Sequence, residues 1–411
     1  MSSLENKVLD KKWHIAIVGA GLSGKCLALL LAREQSEWNI LLIDTEIEQD
    51  AKSDYRASAL SASTVDIFTT MGLWPELVDG AAEIVRIDVS DRGHRGAARM
   101  MAAEHDLNAY GHVVENTRLR TVFEQALPTF SNITCIKSSA PTQLTPRQNG
   151  MNLIMADGNC HADLVVLAGG EHRPLAEQLG VGFRSHDYER TALVATLTME
   201  KSHDGIAHER FTGTGAIALL PLPGGDGKQV SLVWTLPVDR AKDIQDSASE
   251  CVVDMLNLQL GEVGQALQLE HLQSYPVKKI IADEQVRSHL VLLGNAAHCM
   301  HPVAGQGFNL SARDMATLVE LLSKSHERGI GLGNLGVLQR YESMRRRDQS
   351  RTIGLSDKLP KLFGMEQALA VRARNLGLMT LDLIPPLRHS FARLGAGLMA
   401  RRARLRDDGL I

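Results

Sequence analysis

The stretch His14-Ile15-Ala16-Ile17-Val18-Gly19-Ala20-Gly21-Leu22-Ser23-Gly24 decides the fold. A short β-branched run ends in a GxGxxG turn, and Leu22 to Arg33 is rich in leucine and alanine, so the order is strand, turn, helix. Asn39 to Asp44 is a second apolar strand that Asp44 closes. This β-α-β opening predicts a parallel sheet with a right-handed crossover. In such a turn Gly19 permits the tight bend, Gly21 lets backbone N–H groups approach a pyrophosphate, and Gly24 lets helix and strand pack closely. The helix N-terminus then faces phosphate charge, and Asp44 is placed to accept hydrogen bonds from ribose hydroxyls. The motif marks a dinucleotide site without deciding between FAD and NAD.

Working outward, Ala162 to Ala168 is a strand running into Gly169-Gly170, and His289 to Leu293 is another running into Gly294. From about Asp187 to Tyr275 the pattern alternates, as in Thr191 to Thr198, Ala216 to Leu220 and Val230 to Thr235, with turn residues such as Pro223-Gly224-Gly225 between. That predicts an antiparallel sheet. From Ala312 onward the chain reads as helical until Pro385-Pro386, which should break the helix. The expected architecture is α/β: a Rossmann-type parallel-sheet domain over 11–180 and 277–350, an interleaved antiparallel-sheet domain over 181–276 on the substrate side, and a helical region over 351–411.

Composition narrows the function. The 411 residues are 44% apolar and 22% charged, with a net charge of -4 and a pI near 6.4, so no global attraction to nucleic acid is expected. The five cysteines, Cys26, Cys135, Cys160, Cys251 and Cys299, are odd in number and form no CxxC pair, which points to a reducing compartment. Met1 to Lys12 is too polar for a secretory signal, and no apolar run reaches the roughly 18 residues of a membrane span. A cytoplasmic protein, free or peripheral on the inner face of the membrane, is expected.

A second glycine-rich segment carries more: Gly294-Asn295-Ala296-Ala297-His298-Cys299-Met300-His301-Pro302-Val303-Ala304-Gly305-Gln306-Gly307-Phe308-Asn309-Leu310, then Arg313-Asp314. A strand delivers a sharp turn, proline stiffens the loop, and Gly305 and Gly307 strip side chains from backbone that opens a helix. Together with Arg56-Ala57-Ser58-Ala59-Leu60, GHVVEN (111–116), HERFT (208–212), ALLP (218–221), SLVW (231–234), and the stretches 347–356 and 375–381, it resembles the FAD-dependent aromatic hydroxylases of ubiquinone biosynthesis. The Gly294-Asn295 pair, where most relatives have Gly-Asp, is similar to the 2-polyprenyl-6-methoxyphenol hydroxylase branch.

The resemblance implies a para-hydroxybenzoate-hydroxylase-like fold, FAD as cofactor, NAD(P)H and O2 as co-substrates, a flavin hydroperoxide as oxidant, and a polyprenylated phenol as substrate. It implies a cofactor site built from Gly19, Gly21, Gly24, Asp44, Arg56, Asn116, Gly294, Asn295, Gly305, Gln306, Gly307 and Asn309. Asn116 and Glu115 also read as caps of the helix that begins there. One departure stands out. The family continues Ala-Asp-Gly after the strand ending at Leu167, whereas this chain reads Ala168-Gly169-Gly170-Glu171. Either Glu171 supplies the carboxylate from a shifted position or the site does without one, which would slow flavin reduction. Two other readings follow: a flavin-binding accessory subunit with little turnover, or a hydroxylase of a small soluble aromatic.

No acid, base or nucleophile is assigned to the ring chemistry from sequence. His298, Cys299 and His301 lack zinc-site spacing and are expected as loop residues near the flavin, with no metal. Arg313 and Asp314 read either as an adjacent pair anchoring the helix or as a direct part of the site. Phe211, Leu220, Pro221 and Trp234 are candidates for the substrate side or for plain core. After Pro385-Pro386, Leu387, Phe391, Leu394 and Leu398 form an apolar stripe among Arg388, Arg393, Arg401, Arg402, Arg404 and Arg406, with no acid before Asp407. This reads as a basic helix on a membrane surface or as a helix packed on the protein itself. Assembly with other ubiquinone-biosynthesis proteins is a further expectation.

Overall fold

The computed structural model describes residues 11–45, 54–94, 97–137, 140–156, 158–302, 305–363, 365 and 367–406; the polar N-terminus through Asp10, Val303-Ala304 and Asp407 lie outside the described residues. The first sheet places Lys12–Val18 at its centre. Gly158–Leu167 and then Leu290–Leu292 lie on one side, Ile40–Asp44 and then Ile133–Lys137 on the other, all parallel. The central runs Ile15–Val18, Ile40–Ile43, Leu164–Leu167 and Leu290–Leu292 are continuously apolar because both faces are covered there. Ile15 and Ile17 pack under the helices Leu22–Glu34 and Gln306–His326, while Ala16 and Val18 face the opposite layer around Leu175 and Val181.

The second sheet runs His298–Cys299, Ala266–Ala282, Phe183–Met199, Gln229–Pro237, Gly215–Pro221, Ile206–Thr212, Arg86–Asp91, Ala97–Met101. It is the expected antiparallel sheet, with an addition. The strands between 86 and 101, expected with the first domain, join the second sheet instead, Arg86–Asp91 pairing parallel to Ile206–Thr212. The reason is a period-2 pattern, in which Ile87 and Val89 alternate with Arg86, Asp88 and Ser90, that needs a half-covered sheet. One face of this sheet, with Leu193, Ile217, Leu219, Leu232 and Trp234, packs under the helices Val238–Gln245 and Ser249–Leu260. Trp234 is therefore core on the far side and not a substrate-side residue.

The opposite face looks onto a cavity roofed by the C-terminal helices Leu335–Phe363, Ala368–Leu383 and Pro385–Gly395. Pro385-Pro386 ends one helix and also starts the next, where a proline at the first position lacks only an N–H that has no helical partner anyway. The stripe beyond it turns inward. Phe391, Ala392, Ala396 and Leu398 pack against Ile84, Met100 and Tyr110, while Leu387 alone of the expected stripe is exposed. The arginines reach acids of the body: Arg388 to Glu104 at 3.2 Å, Arg401 to Glu320 at 2.7 Å, Arg402 to Asp66 at 3.3 Å and Arg406 to Glu327 at 3.2 Å.

Candidate active site

Gly21 stands at the N-cap of the helix Leu22–Glu34, with no side-chain cap and no acid in the first turn, so the leading N–H groups are left to a ligand. A Cβ built on Gly21 meets nothing within 4 Å, whereas one on Gly24 runs into the carbonyl oxygen of Gly19. Gly294 lies against Ser23, so the second glycine segment crosses the first, and Asp44 ends its strand at the carboxyl edge next to the turn at Gly19, whose N–H donates to Ile43 O at 3.1 Å. A mouth of backbone donors with no side chain in the way is the chemistry a pyrophosphate requires, and the residues present fit FAD.

Around this mouth the sequence elements 54–61, 111–116 and 305–309 interlock. Arg56 grips Asp54 in a two-pronged pair, Nε to Oδ1 at 2.6 Å and Nη2 to Oδ2 at 2.8 Å, and its guanidinium lies 4.8 Å from the Tyr275 ring. Asn116 donates to the same carboxylate at 3.1 Å and accepts from Ser58 Oγ at 2.7 Å. Burial alone would raise the Asp54 carboxyl, but the Arg56 and Asn116 bonds hold it below its usual range. Asn116 occupies the first turn of the helix Asn116–Ala126 and Glu115 its N-cap position, without a side-chain capping bond. Asn309 is spent on protein: its Oδ1 accepts from Ser61 N and Thr64 Oγ1, both at 2.8 Å, and its Nδ2 donates to Ala59 O at 2.7 Å and Gly305 O at 3.2 Å. It fixes the loop and does not offer its side chain to a ligand. Gly305 takes φ +58, a left-handed conformation suited to glycine, and begins the helix Gln306–His326 without a side-chain cap.

At the departure from the family pattern, the Glu171 carboxylate fills the space beside the Gly169 α-carbon. Its Oε1 is 3.2 Å from His172 Nε2, and that hydrogen bond holds its carboxyl below the usual range. Arg173 next to it donates to Asn295 O at 2.5 Å, tying this turn to the second glycine segment.

Behind the loop lies a buried ion network. His298 Nε2 is 2.9 Å from Asp314 Oδ2, Asp314 Oδ1 accepts from Arg345, and Arg313 Nε donates to Asp348 at 2.8 Å. Arg313 and Asp314 thus point to different partners and do not form the adjacent pair expected as one reading. His301 is buried with its ring edge-on to Tyr188 at 5.1 Å, and burial, helped by Arg190, lowers its pKa to about 4, so it is neutral at pH 7.

These parts surround one cavity of about 1070 Å³. Of the expected site residues, Gly21, Arg56, Asn116, Asn295, Gly305, Gln306, Gly307 and Asn309 line it; Gly19, Gly24, Gly294 and Asp44 shape the turn behind it. Phe211 and Leu220 line it as well, and Pro221 does not. Sequence reasoning missed Asp54, Glu209 and Tyr110, and it missed the roof formed by Leu359, Phe363, Leu378 and Phe391. Asp54 had a local signal, an acid two residues before the arginine of a recognised motif. The others are brought in by distant strands and helices.

Residues 12–354 match the FAD binding domain family. Among relatives, the chain is 33% identical over 395 residues to ubiquinone hydroxylase UbiL of Rhodospirillum rubrum, covering 95% of this chain and 91% of that one. It is 28% identical to 3-demethoxyubiquinol 3-hydroxylase of Escherichia coli, covering 94% and 98%. Among solved structures, p-nitrophenol 4-monooxygenase of Pseudomonas putida superposes with TM-score 0.77 at 17% identity over 95% of this chain and all of that one. A Klebsiella pneumoniae HpxO variant solved with FAD superposes at 0.69 with 15% identity, covering 93% and 99%. Fold, site and relatives define an FAD-dependent aromatic monooxygenase. More particularly, the chain belongs to the ubiquinone-biosynthesis hydroxylase family.

Proposed function

We propose that the protein hydroxylates the aromatic ring of a polyprenylated phenol in ubiquinone biosynthesis, with NAD(P)H and O2 as co-substrates. The observation that carries this reading is the apolar half of the cavity, where Val194, Ala207, Phe211 and Leu220 on the sheet face Leu359, Phe363, Leu378 and Phe391 on the roof. Such a lining suits a prenyl chain better than a small polar aromatic. Bound FAD, once reduced, supplies the two-electron activation of O2 that puts one oxygen atom on the ring and releases the other as water. The protein's share is to hold the cofactor at the glycine turns, to orient the ring and to keep water out. We read the Glu171 carboxylate beside Gly169 as standing in for the family's aspartate, which favours a working enzyme over an accessory subunit.

Delivery of a lipid-like substrate gives this reading a second part. The helix Ala368–Leu383 lines the cavity with Gly377 and Leu378, while Leu376, Met379 and Leu383 on its outer side are 65%, 45% and 73% exposed. Ile384 and Leu387 extend that apolar surface, and Arg372 and Arg393 stand exposed nearby. We assign peripheral contact with anionic lipid to this face and not to the inward-turned stripe after Pro386. No helix among the described residues is long and apolar enough to cross a membrane.

Quinone profiling in a strain lacking the gene tests the function: a prenylated phenol short of one ring hydroxyl should accumulate, and an unchanged quinone pool would overturn it. Replacing Leu376, Met379 and Leu383 by serine should reduce co-sedimentation with anionic vesicles, and undiminished binding by the FAD-loaded variant would overturn the lipid contact.

A further inference from the structure

The strand Ile206–Thr212 pairs Glu209 with Ala218 on one side and with Val89 on the other. Residues directly opposite in adjacent strands project to the same face. Ala218 and Val89 both line the cavity, as do Ala207 and Phe211, the residues two before and two after Glu209 on its own strand. The intervening positions turn the other way: Leu219, the partner of His208, lies in the core beneath the helices Val238–Gln245 and Ser249–Leu260. Glu209 therefore rises from the middle of an otherwise apolar floor, beneath the roof of Leu359, Phe363, Leu378 and Phe391.

Three carboxylates line this cavity among the described residues: Asp54, Glu171 and Glu209. Asp54 stands on the segment of Arg56 at the mouth, and Glu171 on the turn beside Gly169. Asp91, the next sheet residue in line with Val89, is sealed by Arg374 at 2.7 Å and does not line the cavity. Only Glu209 of the three stands on the sheet side. In ligand cavities a few placed polar groups set orientation within apolar walls.

We propose that Glu209 accepts the hydrogen bond of the substrate's ring hydroxyl and so determines which ring carbon is presented for hydroxylation. This rests on the reading of the substrate as a prenylated phenol and deepens it: the recognised group is a free ring O–H, and a ring whose hydroxyl is methylated loses this anchor. A neutral O–H donating to a carboxylate is a charge-assisted bond, so its loss is expected to weaken binding roughly 10-fold or more. The same bond shifts electron density onto the ring, in the direction that favours attack by an electrophilic oxygen.

The test uses the full-length, FAD-loaded protein and calorimetric titration with ortho-geranylphenol and its methyl ether, whose tails are identical. The wild type is expected to bind the phenol roughly 10-fold more tightly than the ether. Glu209→Leu is expected to bind both alike, with ether affinity unchanged or improved, and Glu209→Gln, which keeps an acceptor and nearly the same shape, is expected to retain part of the preference. If Glu209→Leu does not fold, the narrowed preference in Glu209→Gln carries the test. An undiminished preference for phenol in the variants would overturn the role of Glu209 while leaving the substrate class intact. Binding of neither compound by the wild type would overturn the substrate class and this assignment with it.

Discussion

Glu171 holds its carboxylate where a side chain on Gly169 would have to go. A side chain at 169 and the Glu171 carboxylate exclude each other beside the glycine turn. Adding the family's usual aspartate at 169 alone forces two carboxylates into one space. Gly169→Asp is therefore expected to lower stability by about 1–3 kcal/mol and to slow reduction of bound FAD by NAD(P)H. Gly169→Asp combined with Glu171→Gly should recover both. Thermal melts and stopped-flow bleaching of the flavin check this, and a single variant that reduces faster than wild type would show that Glu171 does not stand in for the aspartate.

The glycine turn separates a binding defect from a folding defect. Gly21→Val adds a side chain into open space at an ordinary extended φ, so the apoprotein should melt like wild type while FAD retention is lost. Gly24→Val drives a side chain into the Gly19 carbonyl and should yield little folded protein. Circular dichroism melts of the cofactor-stripped chains, alongside FAD released by heat, distinguish the two.

Asp314 sets an acid limit on stability. Burial would raise its carboxyl, but Arg345 and His298 overcome that and hold it at about 2. Its folded pKa thus lies below the unfolded one of about 3.9, so its stabilising contribution is complete above about pH 4 and is lost as pH falls towards 2. Asp314→Asn should flatten that limb of the pH–stability curve. It should also cost about 3 kcal/mol at neutral pH, the low end for breaking a buried pair because Asp348 still faces Arg345. Urea unfolding between about pH 1.5 and about pH 7 measures both, a range that spans the folded and unfolded pKa values.

Glu320 is the buried anchor of the C-terminal segment. It accepts from Arg401 through both oxygens at 2.7 Å, from Lys324 Nζ at 2.5 Å and from Arg404 N at 3.1 Å, and despite the opposing effect of burial these bonds hold its carboxyl at about 2. Glu320→Ala should release residues 401–406 and expose Arg401, Arg402 and Arg404 to trypsin several-fold faster than in wild type. Cleavage at the wild-type rate would show that the segment is held by other contacts.

Much of this was legible in the sequence because it is local. The turn at Gly19 to Gly24, the closing acid Asp44 and the second glycine segment each declare themselves within a few residues, since a pyrophosphate requires bare backbone at fixed spacing. The alternation from Thr191 to Thr235 likewise gave away a half-covered sheet. What escaped is non-local. Glu209 sits within the recognised HERFT stretch, yet its aim into the cavity depends on pairing with Val89 and Ala218. The stripe of Phe391 and Leu398 has the same helical period whether it meets lipid or protein, and only the presence of Ile84, Met100 and Tyr110 opposite decides. Arg313 and Asp314, adjacent in sequence, find partners 35 and 31 residues away.

The order of strands in the parallel sheet also governs how the chain is made. Val165, Val166 and Leu167 pair with Leu290, Val291 and Leu292, and all six side chains are at most 1% exposed. Five strands of the second sheet, from Phe183 to Ala282, are synthesised between them. A nascent or truncated chain that stops short of Leu290 presents Val165–Leu167 as a bare, wholly apolar edge, the kind of surface that recruits other chains and calls on chaperones. Gly294, which crosses the turn at Ser23, follows that last strand, so the pocket for the cofactor closes in one late step and not module by module. Expression of the N-terminal half alone should therefore give aggregates and not a small flavin-binding domain.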